Sequence, residues 1–345
     1  MLDQNMDFFK IVDNFAKTAH IRSIPIIKTT LDFVPKITIA IPTYKRPELL
    51  KLALDSAINQ TNYSDFEVVI VDNDPERDCE TERLLKTYSD KRLRYYKNAE
   101  NIGMFGNWNR CIELSWGEYL TILNDDDLLS NDYLSTVTRL VEQKNNVNAL
   151  IVGFQAIDSD GKMIWNTPNR TSKITKLIPL DLLFGNINPG SLGILFSKNS
   201  MIKIGGYNDS FYPSSDYMFL VLYLVNFKNV FYLNKVLTNY RIADNESKNI
   251  STIYGFIAID KKIRNTFITV YPKLKKLIEL SFPILEVNQY KSINDTSHEF
   301  ETVNANQLVE LSNKIKLNNK IAYNLLILFR KLLRFQKKNV SFNAF

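Results

Sequence analysis

The sequence predicts an α/β protein with a mostly parallel central sheet, helices on both of its faces and a helical C-terminal region. Three observations lead there. Apolar, β-branched runs alternate four times with helix-patterned runs between residues 36 and 143. Polar residues gather at the C-terminal ends of three of those four strands, where open α/β sheets bind ligands. From residue 252 onward the pattern is mostly helical.

The elements follow in order. "KITIAIP" (36–42) is a buried strand that Pro42 is expected to stop. "RPELLKLALDSAINQ" is a helix, with Pro47 suited to its first turn and Leu49, Leu50, Ala53, Leu54, Ala57 and Ile58 on one face. "FEVVIVDND" (66–74) is a second buried strand, "CETERLLKTY" a helix and "RLRYYKN" a third strand. "MFGNWNRCIELSW" is a helix, "EYLTILN" a fourth strand, and "NDYLSTVTRLVEQ" a helix that Asn131 would cap. After about residue 148 the alternation loosens. "ALIVGFQAIDSDGKMIW" reads as a hairpin turning at Asp160-Gly161. "SLGILFSKNSMIKIGGY" reads as a strand, a short helix and a Gly-Gly turn, and "SDYMFLVLYLVN" as an apolar helix. "NVFYLNKVLTNYRI" reads as two short strands. The expected division is an N-terminal extension (1–34, partly helical over "DFFKIVDNFAK"), a sheet domain (35–248) in two halves (35–148 and 149–248) and a helical region (249–345).

Composition narrows the function. A hydrophobic content of 45% is that of a chain with a real core. The net charge of +6 is modest, the basic residues are scattered and no nucleic-acid motif occurs, which argues against nucleic-acid binding. Two cysteines, Cys79 and Cys111, form no metal spacing or disulfide framework and suit a reducing cytoplasm. The N-terminus lacks the order of a secretory signal, and no apolar stretch reaches the ~18 residues of a membrane span.

The strand ends carry the chemistry. The first supplies Thr43, Tyr44, Lys45 and Arg46, the second Asp72, Asn73 and Asp74, the fourth Asn124, Asp125, Asp126 and Asp127. Adjacent carboxylates repel unless a cation neutralises them. Asp-rich turns are often merely solvated, but this one follows a buried strand and faces Asp72 and Asn73. A hard divalent cation, Mg²⁺ or Mn²⁺, prefers such oxygen ligands together with substrate phosphates. Neither G-x-G-x-x-G nor G-K-[ST] follows the first strand, which tells against a dinucleotide dehydrogenase and a P-loop NTPase.

Three segments in order carry a resemblance: "ITIAIPTYKRPELLKLALDSAINQTNYSDFEVVIVDND", "NAENIGMFGNWNRCIELSWGEYLTILNDDDLLSNDYL" and "IGGYNDSFYPSSDYMFLVLYL". They resemble the family 2 glycosyltransferases of GT-A fold, over about residues 36–245. The resemblance implies inverting, metal-dependent transfer of a sugar from a nucleotide diphosphate sugar to an acceptor hydroxyl. UDP is the favoured nucleotide, with dTDP or GDP as alternatives. It implies that Pro42, Thr43, Tyr44 and Arg46 line the nucleotide site and that Asp72 and Asn73 recognise the base. Many relatives carry an acid where Asn73 stands. Asn101, Gly103 and Asn107 would shape the nucleotide pocket, and Asp125 would lie near the ribose. Asp126 would hold the metal, with Asp127 either a further metal residue or one that supports the ligands from behind. Asp216 would be the general base, kept ionised by the start of its helix. Gly205 and Gly206 are turn residues that border the acceptor site by analogy. Arg241 would face the diphosphate, and the histidine common nearby is replaced by Ala243 or Asp244. The implied setting is capsule, O-antigen or other polysaccharide biosynthesis, with a glycan or lipid-linked oligosaccharide as acceptor.

Several residues outside the motifs have readings of their own. His20 and His298 read as surface or structural, Trp108 and Trp116 as core, and Trp165 as a platform that could stack on an acceptor sugar. The stretch 318–339 has an apolar face with Leu325, Leu328, Leu332 and Phe335. Its basic residues are Lys320, Arg330, Lys331, Arg334, Lys337 and Lys338. Two readings stay open for it: peripheral contact with an anionic membrane surface, at the inner face of the cell membrane, or packing on the catalytic domain. Two rival functions are a sugar-nucleotide pyrophosphorylase, which would want a Gly-rich, Arg-containing loop where "PTYKRPE" stands, and a degenerate GT-A domain that only binds a glycan or partner.

Overall fold

The computed structural model describes residues 8–28, 31–144, 146–166, 173–242, 249–294 and 298–336. In chain order the elements are β1 (Ser23–Ile27), β2 (Ile37–Thr43), α1 (Pro47–Ile58), β3 (Phe66–Asp72), α2 (Glu80–Leu85) and β4 (Leu93–Asn98). Then come α3 (Met104–Leu114), β5 (Tyr119–Ile122), β6 (Leu128–Leu129), α4 (Tyr133–Glu142), β7 (Ala149–Ile157), β8 (Met163–Asn166) and β9 (Ile174–Lys176). The chain continues with β10 (Ile194–Ser197), α5 (Lys198–Lys203), α6 (Ser215–Asn226) and β11 (Val230–Arg241). Four helices follow: α7 (Ile250–Val270), α8 (Lys275–Asn294), α9 (His298–Asn313) and α10 (Leu317–Gln336).

One sheet runs in the order β1-β4-β3-β2-β5-β10-β7-β11-β6, with β8 on β7 and β9 on β11. β4, β3, β2 and β5 are mutually parallel, as the βαβ alternation requires. Beyond β5 the sheet turns mixed: β10 is antiparallel to both neighbours, and β7 and β11 are parallel. Alternate residues of the central strands enter two cores. Val69 and Val71 join α3 (Trp108, Ile112) on one face, and Val68 and Ile70 join α1 (Leu50, Leu54) on the other. A strand buried on both faces reads as a continuous apolar run, which is why β2 and β3 were plain in the sequence.

Other expectations are corrected. Pro42 does not stop β2, which runs on to Thr43 in register with Asp72. Ala40 accepts from Leu123 on the β5 side and Thr43 from Asn73 on the β3 side. Pro42 therefore faces the β5 side, where the pairing with β5 has already ended at Ala40–Ile122, so its missing N–H interrupts no ladder bond there. The two short strands expected over 229–242 are one long strand, β11, with irregular register between Leu233 and Thr238. Asp132, not Asn131, occupies the N-cap of α4, and its carboxylate pairs with Lys235 at 2.6 Å. The start of the chain is not helical over 8–15. Ser23–Ile27 instead adds β1 to the sheet edge, where Pro25 is tolerated. The hairpin stands as expected, with β7 and β8 antiparallel and Gly161 at φ +83°.

The C-terminal helices pack on the 149–248 half. Phe267, Ile278, Leu285 and Leu326 are buried in the same core as α6. Arg334 pairs with buried Asp181 at 2.5 Å. Among the described residues no helix is long and apolar enough to cross a membrane.

Candidate active site

After β2 the chain moves to β3 and β4 on one side, then returns to place β5 on the other. The strand order therefore reverses between β2 and β5, and a crevice opens beyond their carboxyl ends. Thr43 and Tyr44 form one lip, and the turn after β5 carries Asn124 to Asp127 on the other.

At the β5 lip, Thr43 Oγ1 donates to Asp125 Oδ2 at 2.8 Å. Arg46 reaches Asp126 Oδ2 at 3.1 Å and Asp125 Oδ1 at 3.5 Å. Burial and the neighbouring Asp126 push the Asp125 carboxyl up to about 6. Burial also raises Asp126, against the pull of Arg46. Asp127 behaves differently. It is fully buried, with Oδ2 accepting from Asn124 Nδ2 and Oδ1 from the Arg241 N–H, both at 2.9 Å. Both oxygens serve the protein, so Asp127 ties the turn to the end of β11 rather than offering a ligand to the cleft. Arg241 is likewise corrected. Its guanidinium donates to the carbonyls of Asp126, Asp158 and Ser159 at 2.8–3.0 Å and is buried, so it braces two loops instead of facing a diphosphate. Ala243 and Asp244 lie outside the described residues.

At the β3 lip every carboxylate and amide is engaged. Asp72 Oδ2 accepts from Lys97 Nζ and the Tyr95 hydroxyl, both at 2.8 Å, and Oδ1 accepts from the Asp74 N–H at 2.9 Å. Asn73 donates to Asn101 Oδ1 at 2.7 Å and to the Gly103 carbonyl at 3.3 Å. Its own oxygen accepts from Asn98 Nδ2 and the Ile102 N–H. An amide has two donors and one oxygen with two lone pairs, and all four sites are filled. Asn73 thus pins the 101–103 loop and has no hydrogen bond left for a base. Asn107 extends the same network, accepting from Asn98 and donating to the Val71 carbonyl, both at 2.9 Å. Gly103, at φ +75°, caps α3 in a backbone shape that side chains avoid. Of the expected nucleotide contacts, Tyr44, Arg46 and Asn101 reach the open surface, Thr43 and Asp125 form the wall, and Pro42, Asp72, Asn73 and Asn107 stand inside it.

Asp216 lies in the first turn of α6, partly exposed, and accepts from Asn186 Nδ2 at 2.8 Å. Burial, reinforced by Asp260, pushes it up to about 7. The helix start was expected to keep it ionised, but desolvation outweighs the backbone donors. Ser214, the residue before α6, donates to Asp260 Oδ1 at 2.6 Å. Upstream, Asn109 clamps the Gly-Gly turn, donating to the Tyr207 carbonyl and accepting its N–H. A Cβ on Gly205 would sit 1.9 Å from the Val12 oxygen, so the turn is glycine because the N-terminal segment lies against it. One loop links the two chemistries: Asn186 holds Asp216, and Gly190 lies against the Asn124 side chain. Those two loop positions are four residues apart, a reach of at most about 14 Å.

Sequence reasoning missed Asn186 and Lys97. Nothing marks Asn186, which sits in a loop. Lys97 had a signal, a lysine on the face of β4 shared with buried Tyr95. Trp108 is core as expected, packed edge-on to Tyr207. Trp116 is not core: it is half-exposed under the Arg94 guanidinium at 3.7 Å. Trp165 is half-exposed and leans on Phe154. His20 is exposed, and the His298 side chain lies outside what is described.

The donor set fits a hard divalent cation that completes its shell with phosphate and water. Asp125 and Asp126 supply carboxylate oxygens faced by one guanidinium, and among the described residues no cluster of three or more His, Cys, Asp or Glu stands ready to cage an ion.

The fold is that of the GT-A glycosyltransferases. Residues 38–205, just under half of the chain, match the family described as Glycosyl transferase family 2. It is 27% identical over 243 residues (67% of this chain, 75% of the relative) to the GalNAc(5)-diNAcBac-PP-undecaprenol beta-1,3-glucosyltransferase of Campylobacter jejuni. It is 26% identical over 219 residues (62% and 73%) to an uncharacterized glycosyltransferase of Methanocaldococcus jannaschii. In fold it is similar to S. aureus TarS 1–349 in complex with UDP-GlcNAc, with a TM-score of 0.54 and 13% identity over 83% of this chain and 90% of that one.

Proposed function

We propose that the protein is an inverting, metal-dependent glycosyltransferase that moves a sugar from a nucleotide diphosphate sugar, a UDP-sugar first, to the hydroxyl of a lipid-linked glycan in cell-surface polysaccharide synthesis. What carries this is the pair Asp125–Asp126, raised by burial and ion-paired to Arg46, at the strand end where Tyr44 is exposed; Asp216 is proposed to reach the same crevice through the 186–190 loop. Tyr44, 44% exposed, gives a base an aromatic face, while Thr43 and Asp125 stand where a ribose would pass. Asp126 would hold Mg²⁺ or Mn²⁺, which when bound neutralises the departing diphosphate. Asp216, with its carboxyl near neutrality and steered by Asn186, takes the proton as the acceptor oxygen bonds to the anomeric carbon. The bond from that carbon to the diphosphate breaks on the opposite face, and the diphosphate leaves with the electron pair. The Campylobacter relative, named for an undecaprenol-linked acceptor, supports the lipid-linked class; action in the cytoplasm at the inner face of the membrane is proposed with it. The division into donor half (35–148), acceptor half (149–248) and helical region (249–345) is proposed with it.

A thermal-shift series with UDP, GDP, dTDP and CMP, each with and without Mn²⁺ or Mg²⁺, tests the reading on wild type and Asp126→Ala. A metal-dependent stabilisation by one diphosphate, absent in the variant, is expected. Folded protein that responds to none of them would point instead to a domain that binds without transfer.

A further inference from the structure

We infer that the outward face of α10 is a docking surface for an anionic lipid membrane. The helix has two apolar faces, and only one is used. Inward, Ala322 and Leu326 are buried, Leu333 packs on the core and Tyr323 meets Phe184 edge-on. Arg330 and Arg334 reach inward to the buried carboxylate of Asp181 and fix the rotation of the helix about its axis. Outward, Leu317 is 71% exposed, Leu328 and Leu332 50%, Ile321 49% and Leu325 38%. At 100° per residue these five fall within an arc of about 80°. They make a continuous aliphatic stripe along almost the whole helix, and Phe329 widens it on one side.

Charge selects the occupant. Leu317–Gln336 contains no Asp or Glu. Exposed Lys320 and Lys331 lie within about 60° of Leu317 on the other edge of the stripe, and exposed Lys316 precedes it. Lys337 and Lys338 continue the basic sequence. A second copy meeting this face two-fold would set lysines against lysines with no acid on the helix to answer them. Lipid headgroups supply those anions, and acyl chains take the leucines. Of the two readings left open by the sequence, packing is seen on one side of the helix, and membrane contact is what we infer for the other. The inference deepens the lipid-linked acceptor reading by naming where the protein meets the lipid, and it rests on that reading only for its purpose.

Flotation of the full chain with vesicles tests it, using phosphatidylcholine alone or mixed with phosphatidylglycerol, with no donor present. Binding to the anionic vesicles, weakened by salt, is expected. Leu325→Gln/Leu328→Gln should lower it by about tenfold or more. Lys320→Gln/Lys331→Gln should lower it roughly fivefold per lysine, on anionic vesicles only. Both variants should unfold at the wild-type temperature and keep nucleotide binding. Folded wild type that ignores anionic vesicles, or a leucine variant that binds them as well as wild type, overturns the inference. So does light scattering that shows a dimer split by the leucine variant, since the stripe is then a self-interface. Vesicle binding without any diphosphate binding would sink the transferase reading and leave this one standing.

Discussion

The ends of β3 and β5 sit on the same edge of one sheet and both carry acids, yet they are built oppositely. At β3, Asp72 and Asn73 are buried and each of their polar atoms meets a protein partner, including the ammonium of Lys97. At β5, Asp125 and Asp126 stand side by side with raised carboxyls and share a single guanidinium that is itself 39% exposed. A closed network stabilises the fold, whereas an open one holds charge that a ligand can complete. The contrast separates scaffold from site more sharply than residue type does.

The largest effect should come from the open end. Asp126→Ala is expected to cut sugar transfer by about 10²-fold or more, while thermal unfolding stays level or improves as like-charge repulsion is relieved. Donor turnover and melting, measured on the same preparation, check this. A variant that melts early but still transfers would reverse the assignment of the two ends. The closed end should answer the other way. Lys97→Met strands the buried Asp72 carboxylate and should cost about 3–5 kcal/mol in urea unfolding. Adding Asp72→Asn should return a large part of it, because the uncompensated charge is then gone.

The acceptor side sharpens the comparison through pH. With Asp216 raised to about 7, kcat/KM should fall about tenfold per unit below that value as the base is protonated. The folded carboxyl titrates above the unfolded one, whose ordinary value is 3.8, so the unfolded state loses its proton first. This group therefore weakens folding as pH rises from about 4 towards 7, and Asp216→Asn should gain stability relative to wild type over that window. Unfolding midpoints at several pH values measure it, and a wild-type pH profile flat between 5 and 8 would remove Asp216 as the base. The smallest change expected is Asn73→Asp. The new carboxylate would face the Asn101 and Gly103 oxygens that the amide now serves, costing about 1–3 kcal/mol with the base preference unmoved. A changed nucleotide preference would show that Asn73 reads the base after all.

Much of this was legible beforehand, for identifiable reasons. β2, β3 and β5 are buried on both faces, and their unbroken aliphatic runs say so. The acidic turn stood out because adjacent carboxylates after a buried strand need a cation, whereas Asp216 was singled out by the resemblance alone, since its residues read equally as a helix cap. What was hidden depends on partners far along the chain. Asn73 looks equally suited to a uracil and to a neighbouring loop, since an amide serves both, and only the positions of Asn98 and Asn101 decide. Arg241 suits a phosphate or three carbonyls alike. β1 was masked by Pro25, which an edge strand accepts and a central one does not.

The bond from Asp127 to the Arg241 N–H has a consequence for recombining this protein with its relatives. A chimaera joined near residue 148, to exchange acceptor halves, would set the acidic turn of one parent against the last strand of another. Asn124, Asp127 and Ser130 are bonded to residues 237–241 as one unit although more than a hundred positions separate the turn from that strand in the chain. Exchanges that carry the turn and the strand together should give working hybrids, and those that split them should misplace Asp126, the residue between.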